Sequence, residues 1–132
     1  MRIKKKFRSG CPIATTLDLL GDRWTLVIVR DLLTGKSRFG DFLKSPERIP
    51  TNILTDRLER LETFGLIEKA SYQDNPVRFD YSLSEKGADL LPVLQAVCVW
   101  ANQHLPNIWK TPKSFFDLKP MNVLARQRRD KS

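Results

Sequence analysis

The feature that most constrains the fold is a pair of helices with a short break between them. The apolar spacing predicts a short helix over Ser37–Leu43 and a longer one over Pro50–Phe64. Ser45-Pro46 separates the two, because proline disfavours helical geometry in the residue before it. Two helices joined by so short a break predict a helix-turn-helix.

The apolar period changes to two directly after the second helix. Leu66–Tyr72 and Val77–Leu83 alternate apolar and polar residues, and Gln73-Asp74-Asn75-Pro76 between them is typical of a turn. This hairpin completes a winged helix-turn-helix, so the fold class expected is mainly α with a small β-hairpin. In that arrangement the second helix enters the major groove of DNA and the hairpin, the wing, reaches phosphates or an adjacent groove.

Further helices are expected on both sides of this unit. Pro12–Leu20 is predicted as one helix, and Asp22 is a suitable N-cap for another that reaches Thr34. Ser84 opens a long helix to about His104, in which Pro92 should cause a kink or shift the start. The apolar residues of the long helix cover more than one face, which predicts a partner surface.

Residues 105–132 follow no regular pattern because prolines interrupt them. Their apolar residues are too numerous for a free tail, so we expect this segment to pack on the rest of the protein. From Ala125 onward the chain is basic and is expected to be disordered. The predicted organisation is a basic arm at 1–10, a winged helix-turn-helix domain at 11–104, and a C-terminal extension with a basic tail at 105–132.

Composition excludes several classes of protein. The longest apolar run, Ala96–Ala101, is far shorter than the ~20 residues of a membrane-spanning helix. Cys11 and Cys98 are too far apart to form a Cys-x-x-Cys pair, and His104 is the one histidine, so neither a zinc site nor a catalytic site with a histidine base is expected. We therefore expect a cytoplasmic, non-enzymatic protein without metal or cofactor, and an enzyme is a distant third hypothesis.

The charge of the chain is concentrated at its ends. The net charge is +8, which suggests a polyanionic partner. Residues 1–10 contain five basic residues and no acid, and residues 119–132 contain five basic residues and one acid. Residues 11–118 contain 13 basic and 14 acidic residues and are nearly neutral. The ends are therefore predicted to make nonspecific phosphate contacts that strengthen binding without setting sequence preference.

The sequence resembles the HxlR-type winged helix-turn-helix transcriptional regulators of bacteria over roughly residues 11–104. The resemblance lies in Cys11-Pro12, Leu19-Leu20-Gly21-Asp22-Arg23-Trp24-Thr25, Arg38-Phe39-Gly40-Asp41, Leu54-Thr55-Asp56-Arg57-Leu58, Leu61-Glu62, Gly65-Leu66-Ile67, Tyr81-Ser82-Leu83-Ser84-Glu85-Lys86-Gly87 and Leu91-Pro92-Val93-Leu94. It implies a homodimer whose first and last helices form the interface. A symmetric dimer in turn predicts a pseudo-palindromic operator.

Candidate DNA-binding residues lie on both helices of the helix-turn-helix, in the break between them and on the wing. On a helical wheel several polar side chains point away from the leucine face, and four arginines are placed to contact phosphate. Asn52 suits adenine, a threonine methyl suits the thymine methyl, and Asp56 could accept from cytosine N4. The complete set is Arg38, Arg48, Thr51, Asn52, Thr55, Asp56, Arg57 and Arg78. Each could instead be a solvated polar residue or an ion-pair partner, above all Arg57.

Cys11 is a candidate redox sensor. It lies just before a predicted helix N-terminus and close to the basic arm, and both features favour the thiolate. Some members of the resembling family sense oxidants or electrophiles with a cysteine at this place. The alternative is a small, partly buried residue without a signalling role. Cys98, on an apolar helix face, is expected to be inert core.

Two functions remain open at this point. The first is a sequence-specific DNA-binding regulator, responsive to an oxidant or a small molecule. The second is a winged-helix module that binds protein and has no specific DNA site. The operator, the regulated genes, the sign of regulation and the effector do not follow from the residues.

Overall fold

The computed structural model describes residues 7–131, which form eight helices and one two-stranded antiparallel sheet. In chain order they are α1 (Pro12–Leu20), α2 (Thr25–Leu33), α3 (Phe39–Leu43), α4 (Thr51–Thr63), β1 (Ile67–Asp74), β2 (Val77–Leu83), α5 (Glu85–Ala88), α6 (Leu91–His104), α7 (Lys113–Asp117) and α8 (Pro120–Asp130). This order confirms the predicted winged helix-turn-helix. Residues 1–6, most of the predicted basic arm, lie outside the described part. No helix within residues 7–131 is long and apolar enough to cross a membrane.

Three predicted helices begin later than expected. α2 begins at Thr25, not directly after Asp22; the Asp22 carboxylate accepts from the Trp24 N–H at 3.1 Å and from the Thr25 hydroxyl, and so caps the turn before the helix. α3 begins at Phe39 because residue 38 is still extended and pairs with β2. α4 begins at Thr51, with Pro50 as its N-cap.

The predicted long C-terminal helix is two helices. Ser84 caps the first, α5, by accepting the Gly87 N–H at 3.1 Å. Pro92 lies in the first turn of α6, so proline shifts the helix start, one of the two expected effects. Gly87 is required where α5 crosses the hairpin, since a Cβ there would lie 2.0 Å from the Leu66 carbonyl oxygen.

The hairpin pairs Ile67 with Leu83 at its base and Asp74 with Val77 at its tip. β1 begins one residue later than predicted and ends two residues later, because Gln73 and Asp74 still pair with β2. The chain before α3 adds a short third segment to this sheet, since the Tyr81 N–H donates to the Ser37 carbonyl at 2.7 Å. The wing is therefore tied to the start of the helix-turn-helix.

One apolar core joins α2 to the helix-turn-helix, the hairpin and the C-terminal helices. α2 lies at its centre, with Ile28, Val29, Leu32 and Leu33 all at most 1% exposed. The leucine face of α4 predicted from sequence is buried in the same core. Its other buried apolar members are Leu20, Phe42, Ile49, Leu54, Leu58, Leu61, Leu66, Ile67, Leu83, Ala88, Leu91, Leu94 and Val123.

The C-terminal extension is ordered, and the expectation of a disordered basic end is wrong. Val123 of α8 is completely buried. The Arg126 guanidinium donates to the carbonyls of Leu32 and Leu33, both at 2.9 Å, and so caps the C-terminus of α2. The Gln127 amide accepts from the Leu83 N–H and donates to the Leu83 carbonyl. A buried side chain and satisfied backbone groups hold the helix on the domain.

Candidate nucleic-acid interface

The exposed side of α4 lies opposite its buried leucines. Thr51, Asn52, Thr55, Asp56 and Glu59 are all exposed along it. The Thr55 hydroxyl donates to the Thr51 carbonyl at 3.1 Å, which leaves its oxygen able to accept. The Asn52 amide makes no hydrogen bond within residues 7–131, so its donors and acceptor are available to a partner. The structure thus brings four of the predicted residues to one surface.

A buried polar cluster fixes the turn that leads into α4. Ser45, predicted only as a helix breaker, is 3% exposed and donates its hydroxyl to Asp31 of α2. The same hydroxyl accepts from Lys36 Nζ at 2.7 Å. Because Asp31 is itself 4% exposed, these bonds satisfy a buried carboxylate and hold the turn on α2. Sequence reasoning missed this cluster, since its members lie on three separate elements.

Arg30 extends this attachment to the surface. Its guanidinium makes two bonds to the Glu47 carboxylate, at 2.7 and 2.8 Å, and also donates to Asp31. Hydrogen bonding to Glu47 raises the pKa of Arg30, and the same bond lowers the pKa of Glu47. Bidentate arginine–carboxylate geometry fixes orientation as well as distance. Glu47 and the exposed Arg48 beside it are therefore held in place at the entrance of α4.

Arg48 has a special backbone conformation within this turn. Its φ is +56°, in the left-handed region that non-glycine residues seldom adopt. Its N–H donates to the Ser45 carbonyl at 3.0 Å, and the next residue, Ile49, is buried. The turn thus places the Arg48 side chain outside while the chain enters the core.

Arg38 connects the start of α3 to the wing. Its Nε donates to Asp80 at 3.0 Å, and its guanidinium lies 3.7 Å from the centre of the Tyr72 ring. The bond to Asp80 raises the pKa of Arg38. The side chain remains half exposed, but a carboxylate already balances its charge. Its first role in the free protein is to hold the wing against the helix-turn-helix.

Arg57 is placed differently from the other predicted arginines. It donates to Asp22 at 2.8 Å and to Asp56, and its side chain is 17% exposed. The bond to Asp22 raises the pKa of Arg57. Burial acts to raise the pKa of Asp22, but hydrogen bonds from Thr25, Arg57 and the Trp24 N–H outweigh it and lower that pKa from 3.8 to about 2. Arg57 thus joins α4 to the turn before α2, the ion-pair alternative kept open in the sequence.

The wing tip carries another of the predicted arginines. Arg78 is exposed on β2 and makes no ion pair within the described residues. Asp56, by contrast, pairs with Arg57 and lies 4.0 Å from Arg60, so part of its negative charge is balanced. The surface of α4 is therefore less repulsive to phosphate than its acidic residues alone suggest.

The two cysteines occupy different environments. Cys11 is exposed at the N-cap position of α1, where its N–H donates to the Ser9 hydroxyl at 3.2 Å. Cys98 is half-buried and lines a cleft, so it is not the core residue expected from sequence. Within residues 7–131 no cluster of three or more histidine, cysteine or acidic residues could hold a metal ion.

Two helices leave apolar side chains exposed. α1 exposes Ile13 and Leu17, and α6 exposes Val93, Val97 and Trp100. On each helix these residues are spaced three or four apart, so each set forms a stripe along one face. Apolar stripes of this kind mark contact surfaces.

A family model described as HxlR-like helix-turn-helix matches residues 19–108. The chain belongs to this family. HxlR-like proteins similar to it include YdeP, an uncharacterised HTH-type transcriptional regulator of Bacillus subtilis, 37% identical over 76% of this chain and 79% of the relative. An uncharacterised HTH-type transcriptional regulator of Synechocystis is 39% identical over 69% of each chain. The chain is accordingly an HTH-type transcriptional regulator, from a family of regulators and not of enzymes.

Solved structures similar to this HxlR-like chain include two regulators, one of which is described as a redox regulator. The reduced transcriptional regulator YodB of B. subtilis superimposes with a TM-score of 0.61 and 32% identity, covering 74% of this chain and 97% of the other. The redox regulator HypR in its oxidised form superimposes with a TM-score of 0.65 and 30% sequence identity, covering 74% of this chain and all of the other. The family match ends at residue 108, so α7 and α8 lie beyond it.

Proposed function

We propose that this regulator binds a specific pseudo-palindromic operator as a homodimer. The observation that carries the proposal is the exposed polar side of α4, held rigidly by the Arg30–Glu47 pair and the buried Asp31–Ser45 bond. A helix presented in this way can enter the major groove, and Asn52 can pair there with an adenine. Arg48 in the turn and Arg78 on the wing flank it as phosphate contacts.

The apolar stripes on α1 and α6 support the dimer. They lie on the first and last helices of residues 11–104, and burying them between two copies would remove them from water. Two copies related by a two-fold axis would present their α4 helices to half-sites about one DNA turn apart, ~34 Å. The operator is then expected to have two-fold symmetry.

Selection of bound fragments from genomic DNA with the purified full chain tests this proposal. The selected fragments should share an inverted repeat, and binding to it should persist against competitor DNA while weakening with salt as counterions are released. Binding that is salt-sensitive but blind to sequence would reject the specific regulator. It would favour the alternative, a winged-helix module that binds protein.

Two threonines of α4 provide a matched pair of variants. Thr51→Ala at the start of the helix should lower affinity for the selected operator by roughly two- to tenfold, as expected for losing one hydrogen bond of its hydroxyl worth ~0.5–1.5 kcal/mol. Thr63→Ala at the exposed far end of the same helix should leave it unchanged. Equal affinities for the two variants would mean that the start of α4 does not read bases.

We also propose that Cys11 makes operator binding responsive to oxidants. Its exposure at the start of α1 and the likeness to HypR and YodB support this role. With a peroxide, the thiolate sulfur attacks one oxygen, the O–O bond breaks, hydroxide leaves, and a sulfenic acid is formed. Because α1 carries one of the apolar stripes, this change lies close to the proposed dimer surface.

The test compares Cys11→Ser with Cys98→Ser. Peroxide should change operator affinity in the wild type and in Cys98→Ser, and should have no effect in Cys11→Ser. If complete modification of Cys11, established by mass spectrometry, leaves affinity unchanged, Cys11 is not the sensor.

A further inference from the structure

A cleft of about 510 Å³ lies between the end of α2, one side of α6 and the C-terminal extension. Its volume is within the range of ~300–1,000 Å³ that is usual for small-molecule sites. Apolar side chains form much of its wall: Leu33 from α2, Cys98 from α6, and Phe115 and Leu118 from the extension. Trp109, which is 79% exposed, stands at its edge. The surfaces available to a ligand are thus largely apolar and in part aromatic.

Side-chain amides of α6 hold the outer wall of this cleft in place. Gln95 Nε2 donates to the carbonyls of Phe115 and Leu118, at 3.0 and 2.9 Å. The Asn102 side chain donates to the Trp109 carbonyl at 2.9 Å and accepts from the Thr111 N–H and hydroxyl. These bonds satisfy backbone groups at the end of α7 and in the irregular chain before it. The cleft therefore exists before any ligand arrives.

The charge in the cleft is positive. Arg30, Lys110 and Arg126 line it, and no carboxylate is among its lining residues. Arg30 is balanced by Asp31 and Glu47. Arg126 donates to two backbone carbonyls but makes no ion pair with an acid in residues 7–131. A half-buried guanidinium without a carboxylate, with Lys110 nearby, favours an anion over a cation or a neutral molecule.

We propose that this cleft binds a small aromatic molecule that carries an anionic group, with its ring against Phe115 and Leu118 and its anionic group towards Arg126 and Lys110. The site goes beyond the proposed function, because it needs no DNA. Its outer wall comes from residues 109–118, past the end of the family match at residue 108. The cleft is therefore a feature of this chain's extension. Arg30 also lines it, and Arg30 holds the turn before α4 through its ion pair with Glu47.

Titration of the full chain with anilinonaphthalene sulfonate, a fluorescent aromatic anion, tests the site. One probe should bind per chain, and uncharged phenylnaphthylamine should bind about fivefold more weakly or worse, as expected when one charge interaction of ~1 kcal/mol is lost. Ser114→Trp, which fills the cleft, should weaken binding of the sulfonate about tenfold or more, the loss expected when an apolar ring is excluded. Ser71→Trp, the same substitution at an exposed wing position, should leave it unchanged.

Alkylation of Cys98 provides a readout that does not depend on cleft variants folding. In a Cys11→Ser background, bound sulfonate should slow the reaction of Cys98 with iodoacetamide several-fold, because the thiol lines the occupied cleft. Equal binding by the Ser114→Trp and Ser71→Trp variants, or unchanged alkylation at saturating probe, would overturn the proposal and assign the probe to the exposed stripes of α1 and α6. Tighter binding of the uncharged probe would reject the anionic class.

Discussion

Val123 tests whether the C-terminal helix belongs to the folded domain. The side chain is fully buried, and Val123→Ala removes two methyl groups from it. Lost transfer free energy amounts to about 1.6 kcal/mol at ~0.8 kcal/mol per buried carbon group. An unrelaxed cavity adds up to about 1 kcal/mol at roughly 24 cal/mol per Å³. We therefore expect the free energy of unfolding to fall by about 1.6–2.6 kcal/mol.

Urea unfolding at fixed protein concentration measures this loss. The matched control is Val77→Ala, the same substitution at an exposed position near the wing tip, which should change stability by less than about 0.5 kcal/mol. The midpoint should shift without a change in the m-value, because the same surface unfolds. If Val123→Ala is as stable as Val77→Ala, α8 does not pack on the core and the reasoning is refuted.

Three further predictions concern the polar contacts around α4. Hydrogen bonds lower the pKa of Asp22 to about 2, so its carboxylate stabilises the fold above pH ~4 by up to about 2 kcal/mol. This stabilisation is lost as the pH falls towards 2. In Asp22→Asn, acid unfolding should lack this part of the dependence of stability on pH. Glu47→Gln breaks a half-exposed ion pair with Arg30, so the free energy of unfolding should fall by less than about 1 kcal/mol. Amide hydrogen exchange in the turn before α4 should become faster, and unchanged exchange would mean that this ion pair does not hold the turn. Arg78→Gln should weaken binding to every DNA sequence and lower the slope of log affinity against log salt concentration by about 1. Arg57→Gln should instead lower the free energy of unfolding and leave that slope unchanged.

The elements that sequence could predict are those whose signals are local. Proline positions and apolar spacing gave α1, α4 and both strands nearly to the residue, and Pro92 correctly marked a break in the long helix. α8 could not be predicted, because the contacts that order it lie far away in sequence. Arg126 caps a helix more than ninety positions earlier, and a basic segment carries no local mark of that partner.

The same distinction applies to the site. The exposed side of α4 follows from helical periodicity, so the sequence alone could predict that Thr51, Asn52 and Thr55 share one surface. The ion-pair partners of the arginines could not be predicted, because each pair depends on which carboxylate, distant in sequence, the fold brings close to the arginine. Arg57 meets Asp22 and Arg38 meets Asp80, so neither enters a DNA contact as a free charge.

These pairings change what the charge of the chain can do. The winged core is nearly neutral, and Arg30, Arg38 and Arg57 already pair with carboxylates, so fewer of its cations are free to attract phosphate from a distance. Of the basic residues in the C-terminal segment, Arg126 caps α2 and Lys131 donates to Ser82, so that end is only in part available to DNA. Operator preference should therefore depend on the shape and polar groups of α4. Removing residues 1–10 should weaken all DNA binding while keeping that preference, and its loss would mean that the arm reads bases.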